Sequence, residues 1–294
     1  MTFLKKFKKS SKHKIIIIVG PTASGKSALA VKWAKKINGE IISADSRQVY
    51  KGLDLASGKI TKKEMMGIKH HCLDLVSPKT VFTAQRFKKC AQNAIKNIQK
   101  RGKIPIIVGG TGFYIDAALG RIEIPKIPPD WRLRKKLEKK TPRELFLWLK
   151  KLDPSRAKTI EPQNKRRLIR ALEIAKTTGR VPEVKAGKNE YRPLWLGIKV
   201  PPEKLRKNIN QRLKKRLKSG MSKEINRLHK SGLGWRRLDE LGLEPRWISR
   251  YLRGLVSKEE MVAKLQTAIW QYSRRQMTWL KRNQEIQWIN TQTK

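Results

Sequence analysis

Apolar residues are distributed along the chain with two alternating periods. Ile15, Ile16, Ile17, Ile18 and Val19 form an uninterrupted β-branched run, the pattern of a strand covered on both faces. Ala28 to Ile37 then takes a helical period, and Glu40 to Ser43 is a short apolar strand. Cys72 to Val76 is the third strand candidate. Thr83 to Arg101 predicts a helix with Phe87, Cys90, Ala91, Ala94, Ile95 and Ile98 on one face. Ile104 to Val108 is a fourth, wholly apolar strand, and Leu194 to Val200 a last one. Strands alternating with helices predict an α/β fold: a parallel sheet flanked by helices.

Two stretches depart from that alternation. Residues 121–193 begin with Pro125, Pro128 and Pro129, carry helical patterns rich in Lys, Arg and Leu, and show no strand period; they read as a helical insertion domain. From Pro202 onward the chain is helical, with 257–283 placing Leu265, Ile269, Tyr272, Gln276 and Trp279 at three- and four-residue spacings. That spacing reads as packing, although Trp270, Trp279 and Trp288 have rings that can stack on bases. The expected organisation is a basic tail over 1–13, a core from 14–120 and 194–294, and the insertion between.

Charge changes this picture. Seventy Lys plus Arg against 23 Asp plus Glu leave a net charge of +47 over 294 residues. Such self-repulsion is relieved by a polyanion, and nucleic acid is the leading candidate. Charge alone specifies no sequence, and it favours a monomer. Cys72 and Cys90 are the two cysteines, without metal-ligand spacing, so neither a zinc site nor a disulfide framework is suggested and a reducing, cytoplasmic setting is expected. Met1 to Lys14 is basic without a long apolar core, and the Ile15 to Val19 run is too short to cross a bilayer. No membrane association is expected.

Candidate chemistry starts at Gly20-Pro21-Thr22-Ala23-Ser24-Gly25-Lys26-Ser27, which meets the P-loop pattern G-x-x-x-x-G-K-[ST] between strand and helix. Its backbone amides and the helix N-terminus suit a di- or triphosphate, with Lys26 on the phosphate oxygens and Ser27 holding Mg²⁺. Most such loops serve ATP or GTP chemistry. Here, however, the strand Ile104 to Val108 ends in Gly109-Gly110-Thr111-Gly112, where a magnesium-holding acid is usual. Asp45, in Asp45-Ser46-Arg47-Gln48-Val49-Tyr50, is the remaining acidic candidate, placed where strand carboxyl ends meet. It serves either a kinase or another phosphate-dependent transferase. Arg166, Arg167 and Arg170 recur at helical-turn spacing and read as a cationic face. A nucleotide-dependent kinase and an RNA-binding protein with a regulatory nucleotide site both remain open on these residues.

Six stretches occur together and in order: Gly20 to Ser27, Asp45 to Asp54, His70-His71-x-x-Asp74, Gly109 to Tyr114, Arg166 to Glu173, and Arg274-Arg275-Gln276-Met277-Thr278-Trp279. This set, spanning roughly residues 14–289, resembles the tRNA dimethylallyltransferases, also called isopentenyl-tRNA transferases. The resemblance implies an enzyme that moves a dimethylallyl group from dimethylallyl diphosphate to N6 of adenosine 37 in tRNAs reading codons that begin with U. It implies Asp45 as the base, with Thr111, Lys26, the P-loop and Ser27-bound Mg²⁺ on the departing pyrophosphate. Arg212, with Arg216 as second choice, would add cationic contacts. Asp45, Ser46, Arg47 and Gln48 would meet the target base and its neighbours; Arg166, Arg167, Leu168, Ile169 and Arg170 would hold the anticodon stem-loop. His70 and His71 read as a structural pair on a loop. Leu241-Gly242-Leu243-Glu244-Pro245 stands where the family usually has Ile-Gly-Tyr followed by Lys or Arg.

Overall fold

Six parallel strands organise the larger part of the protein, in a computed structural model that describes residues 14–182 and 191–290. They are β1 (Lys14–Val19), β2 (Gly39–Ala44), β3 (His70–His71), β4 (Ile104–Gly109), β5 (Arg192–Lys199) and β6 (Gln287–Asn290), in the order β3-β2-β4-β1-β5-β6. β1 lies inside the sheet, in register with β4 on one side and β5 on the other. Its residues Ile15 to Val19 are fully buried. Alternation along the strand divides them. Ile16 and Ile18 pack with Ala30, Val31 and Ala34 of α1 (Lys26–Ile37); Ile15, Ile17 and Val19 share a core with Phe87, Ala91, Ile95 and Ile98 of the later helix 84–100. The expected α/β architecture is therefore present, its basic 1–13 tail lying outside the described residues.

Two elements differ from expectation. The third strand is His70–His71 and not Cys72 to Val76. Cys72 and Asp74 adopt φ of 61° and 53°, which turns the backbone out of extended conformation, and only a single bridge between Tyr50 and Val76 follows. The His pair thus forms the sheet edge instead of a loop. His71 Nε2 lies 2.7 Å from Glu40 Oε2, and the same buried carboxylate accepts from Arg101 and Lys103. Burial opposes ionisation there, yet these partners hold Glu40 down at about 2. The second difference is β6, in a region expected to be wholly helical. It pairs with β5 at the other edge, and Trp288 packs against the core containing Trp195.

The short helix α2 (Lys62–Met65), then α3 (Ala84–Lys100) and α4 (Gly112–Ala118), complete this half of the molecule. Residues 122–187 form a separate compact unit. Its described helices are α5 (Trp131–Leu137), α6 (Pro142–Leu152), α7 (Pro154–Thr159) and α8 (Lys165–Thr178). Asp130, Thr141, Asp153 and Asn164 cap them in turn, each side chain accepting a backbone N–H from the first helical turn that has no partner within the helix. After β5 come α9 (Pro202–Lys218), α10 (Met221–Lys230), α11 (Trp235–Leu241), α12 (Leu243–Leu252) and α13 (Lys258–Leu280). They bury Leu213, Ile225, Leu238, Ile248 and Leu265 in a common core with Val49 and Leu53. Among the described residues no helix is long and apolar enough to cross a membrane.

Candidate active site

The P-loop leaves β1 and enters α1 through Gly25, whose φ of 86° falls in the left-handed region that glycine adopts without strain. Lys26 folds back so that Nζ donates to Pro21 O at 3.2 Å. Three residues distant in sequence, on two helices, hold the loop. Thr22 N–H donates to Gln276 Oε1 of α13 at 2.8 Å, and Asn208 of α9 donates to Ala23 O at 3.3 Å. Arg212, one turn further along α9, reaches Thr22 Oγ1 at 3.5 Å and Gly58 O at 2.9 Å. A Cβ at residue 58 would stand 2.2 Å from that guanidinium, so a larger residue there would push the arginine aside.

The segment containing Gly58 is itself fixed by buried polar contacts. Glu224 of α10 accepts the backbone N–H groups of Asp54, Leu55 and Ala56 at 3.1, 2.8 and 2.9 Å. Lys59 donates to Tyr50 O and pairs with Asp54 and Asp74. Arg216 bonds Leu55 O and pairs with Glu244 Oε1 at 2.9 Å. Arg216, the second-choice cation, is therefore committed to holding the segment, while Arg212 spans segment and P-loop.

At the end of β2, Asp45 Oδ1 accepts from the N–H groups of Arg47 (2.8 Å) and Gln48 (3.4 Å), a local turn that needs no distant partner. Gln48 is oriented by Ser43, which donates to its carbonyl oxygen at 2.8 Å, and by its own N–H bond to Gly58 O at 3.3 Å. Asp45 thus commits one carboxylate oxygen to this turn and lines the cavity beside it.

Thr22, Lys26, Ser27, Asp45, Ser46, Arg47, Gln48, Arg212 and Arg216 all line one cavity of about 300 Å³. The structure therefore brings these sequence candidates together. Six cationic side chains face the cavity, Lys26, Arg47, Arg212, Arg216, Arg246 and Arg275, against the two carboxylates of Asp45 and Glu244. Ile41, Ile60, Val108, Leu241, Leu243 and Ile269 add apolar wall. A ligand with a polyanionic end and a small hydrocarbon end matches that division. Burial lowers the Lys26 pKa to about 8; Arg212 adds to the drop and Asp45 opposes it. Burial likewise lowers Arg212, with Arg216 contributing.

Several expected site residues lie elsewhere. Thr111 does not line the cavity; its hydroxyl lies against Tyr272, which does. The reason is that Thr111 precedes α4 and its carbonyl starts that helix. Burial raises the Tyr272 phenol to about 12, so it remains a neutral hydrogen-bonding group. Leu168 and Ile169 are buried, at 0% and 4% exposure, in the core of the 122–187 unit, which removes their side chains from any surface contact. Arg170 pairs with buried Glu173 and donates to Ile127 O. Arg166 and Arg167 remain exposed, with Arg167 near Glu161 at 3.4 Å. Tyr272 and Gln276 are cavity residues that helical spacing alone assigned to packing, since a helix face that meets a cavity has the same period as one that meets a core, and Arg275 lines the cavity beside them. Leu241 to Glu244, the stretch that departs from the family pattern, also lines the cavity.

A family model described as IPP transferase matches residues 48–283. The tRNA dimethylallyltransferase 2 of Treponema denticola is 39% identical over 289 residues, covering 95% of this chain and 97% of that protein. The tRNA dimethylallyltransferase of Anoxybacillus flavithermus is 38% identical over 283 residues, with 95% and 90% covered. Among solved structures, the tRNA isopentenylpyrophosphate transferase of Bacillus halodurans is similar at a TM-score of 0.71 and 34% identity, over 95% of this chain and 90% of that one. A eukaryotic dimethylallyltransferase solved acting on tRNA aligns at a TM-score of 0.81 and 29% identity, over 95% and 74%. The likeness runs over nearly the whole chain, and the chain belongs to the IPP transferase family.

Proposed function

We propose that this protein transfers the dimethylallyl group of dimethylallyl diphosphate to N6 of adenosine 37 in the anticodon loop of tRNAs reading codons that begin with U, and releases pyrophosphate. The observation that carries the reading is that Lys26 and Asp45 line the same cavity. An anion cradle and a proton acceptor thereby share one site, and β4 ends in Gly109 with no carboxylate for a nucleotide's metal.

In this reaction the allylic C1–O bond breaks, the N6–C1 bond forms, and the electron pair of the broken bond leaves with pyrophosphate. Lys26, Arg212 and the P-loop amides oppose the negative charge gathering on that leaving group. The exocyclic amine of adenine is a poor nucleophile because its lone pair is delocalised, and Asp45 accepts its proton as the new bond forms. Apolar residues on the cavity wall take the five-carbon chain and exclude water from the developing allylic cation. Thr111 acts on the site through Tyr272.

Mg²⁺ fits the donors present. Ser27 is exposed at the start of α1 and shares the cavity with Thr22 and Asp45, an all-oxygen set of the kind that Mg²⁺ prefers, and among the described residues no group of three or more His, Cys, Asp or Glu is placed to hold a metal ion. Ser27 would hold the ion, with diphosphate and water oxygens completing its coordination. When bound it supplies charge neutralisation of the leaving group. The target base leaves the stacked anticodon loop to reach Asp45, with Ser46, Arg47 and Gln48 beside it and the exposed Arg166 and Arg167 gripping the stem-loop. The enzyme works in the cytoplasm as a monomer.

A mass spectrum of an anticodon stem-loop RNA incubated with the protein, dimethylallyl diphosphate and Mg²⁺ tests this. The expected result is the mass of one added dimethylallyl group, with turnover of Asp45→Asn reduced by ~10²-fold at retained RNA affinity. No added mass, with ATP consumed instead, would make the protein a kinase.

A further inference from the structure

We infer that Gln276 is a positioning residue for diphosphate binding, acting through the backbone of Thr22, and that Gly110 is glycine in order to admit it. The inference rests on the proposed diphosphate site and adds a residue to it from the far end of the chain.

Gln276 is 5% exposed, and its Oε1 accepts the Thr22 N–H at 2.8 Å across 254 residues of sequence. A buried amide contact of this kind leaves an unsatisfied group if either partner is lost, which makes its removal costlier than its net contribution when formed. Thr22 is held from its other end as well, since Arg212 reaches its hydroxyl. The third residue of the P-loop is therefore clamped between α13 and α9, and Arg212 is one of the groups that set the charge state of Lys26. Gln276 also lines the cavity beside Tyr272 and Arg275. It thus bonds the loop while facing the volume that the ligand would occupy.

The other amide end carries an independent sign of the same contact. A Cβ at residue 110 would stand 1.9 Å from Gln276 Nε2 and 2.8 Å from Cδ, distances no side chain tolerates. The backbone after β4 approaches the glutamine so closely that any larger residue displaces it. Gly110 and Gln276, distant in sequence, are thereby two parts of one device: the glycine leaves the space and the glutamine fills it to reach Thr22. Gln276 touches no reacting atom in this arrangement. Its effect is on the shape of the anion cradle, because Thr22 N–H is spent on Gln276, as Ser24 N–H is on Pro21 O at 3.3 Å, which fixes the path of the loop and the directions of its other amides.

The test uses inorganic pyrophosphate as probe, with binding measured by calorimetry on the full chain. Gln276→Met, which keeps the length and removes the acceptor, is expected to lose about tenfold in pyrophosphate affinity. Gly110→Ala, which displaces the same amide, is expected to lose a similar factor. The double variant is expected to lose no more than either single one, since both break one contact. The Michaelis constant for dimethylallyl diphosphate should rise with the same factor while RNA affinity is unchanged, a split that general destabilisation does not produce. Unaltered pyrophosphate affinity in both folded single variants, or losses that multiply in the double variant, would overturn the role of Gln276 and leave the diphosphate site standing. A wild-type chain that binds no pyrophosphate would overturn both.

Discussion

Lys26 carries the sharpest electrostatic conflict in the protein: an ammonium pressed by burial and by Arg212 toward neutrality, in a site whose ligand needs it charged. Its pKa of about 8 in the free protein has a definite sign of consequence. Below that value the ammonium is present to pair with the proposed diphosphate; as pH rises through it, the unliganded site loses a positive charge and the affinity should fall. Pyrophosphate binding measured from about pH 7 to about pH 9 should weaken beyond the trend set by the ligand's own ionisation. Lys26→Met should lose that step along with most of the affinity. Its melting temperature should not fall, because the charged form is the one that burial disfavours. Asp45, on the opposite side of the charge balance, is seated by a turn of its own neighbours.

Among elements, α8 shows how a basic stretch divides its work. The run Lys165-Arg166-Arg167-Leu168-Ile169-Arg170 reads as one cationic face, but the helix turns Leu168, Ile169 and Leu172 into the core of its unit. Arg170 turns with them to Glu173, which also accepts from Arg134 at 2.8 Å and from the Asp130 N–H at 2.7 Å. Burial raises the cost of that carboxylate's charge, and Arg134 with Arg170 outweighs it, so Glu173 titrates below its ordinary range. A depressed acid stabilises the fold above its unfolded pKa and loses that contribution as pH falls toward the folded value. Glu173→Gln should therefore destabilise the protein by about 2 kcal/mol at neutral pH, measured by denaturant unfolding, with the difference from wild type shrinking in acid. Arg170→Ala should act on stability in the same way.

For the whole molecule the net charge of +47 sets the response to salt. RNA affinity should fall linearly on a logarithmic salt scale, as counterions released from phosphates return. Reversing Arg166 and Arg167 together should reduce that slope by about 1 to 2, since each side chain covers at most one phosphate, and should leave pyrophosphate binding intact. An unchanged slope would place the RNA contact on another face of the chain. The two measurements together separate charge proposed to grip RNA from charge proposed to grip diphosphate, which composition alone merges.

What the sequence by itself determined are the features encoded locally. The buried run Ile15 to Val19 and the P-loop between strand and helix each depend on residues within a few positions of one another, so period and motif suffice to read them. The side chains that cap α5 to α8 and the Asp45 turn are equally local, but the structure is what displays them. Only the tertiary structure decided what depends on partners far along the chain. The edge strands β3 and β6 are short and half-exposed, so their pairing comes from the sheet beside them and leaves almost no period to detect. Arg212 and Arg216 look alike on α9, and the neighbours Thr22, Gly58 and Glu244 give them different roles. Gln276 has the spacing of a core residue and becomes a support of the P-loop because the chain beyond β4 leaves room at Gly110. Helical period records that a face is covered, but the choice between a core, a cavity and a buried amide is made by the elements packed against it.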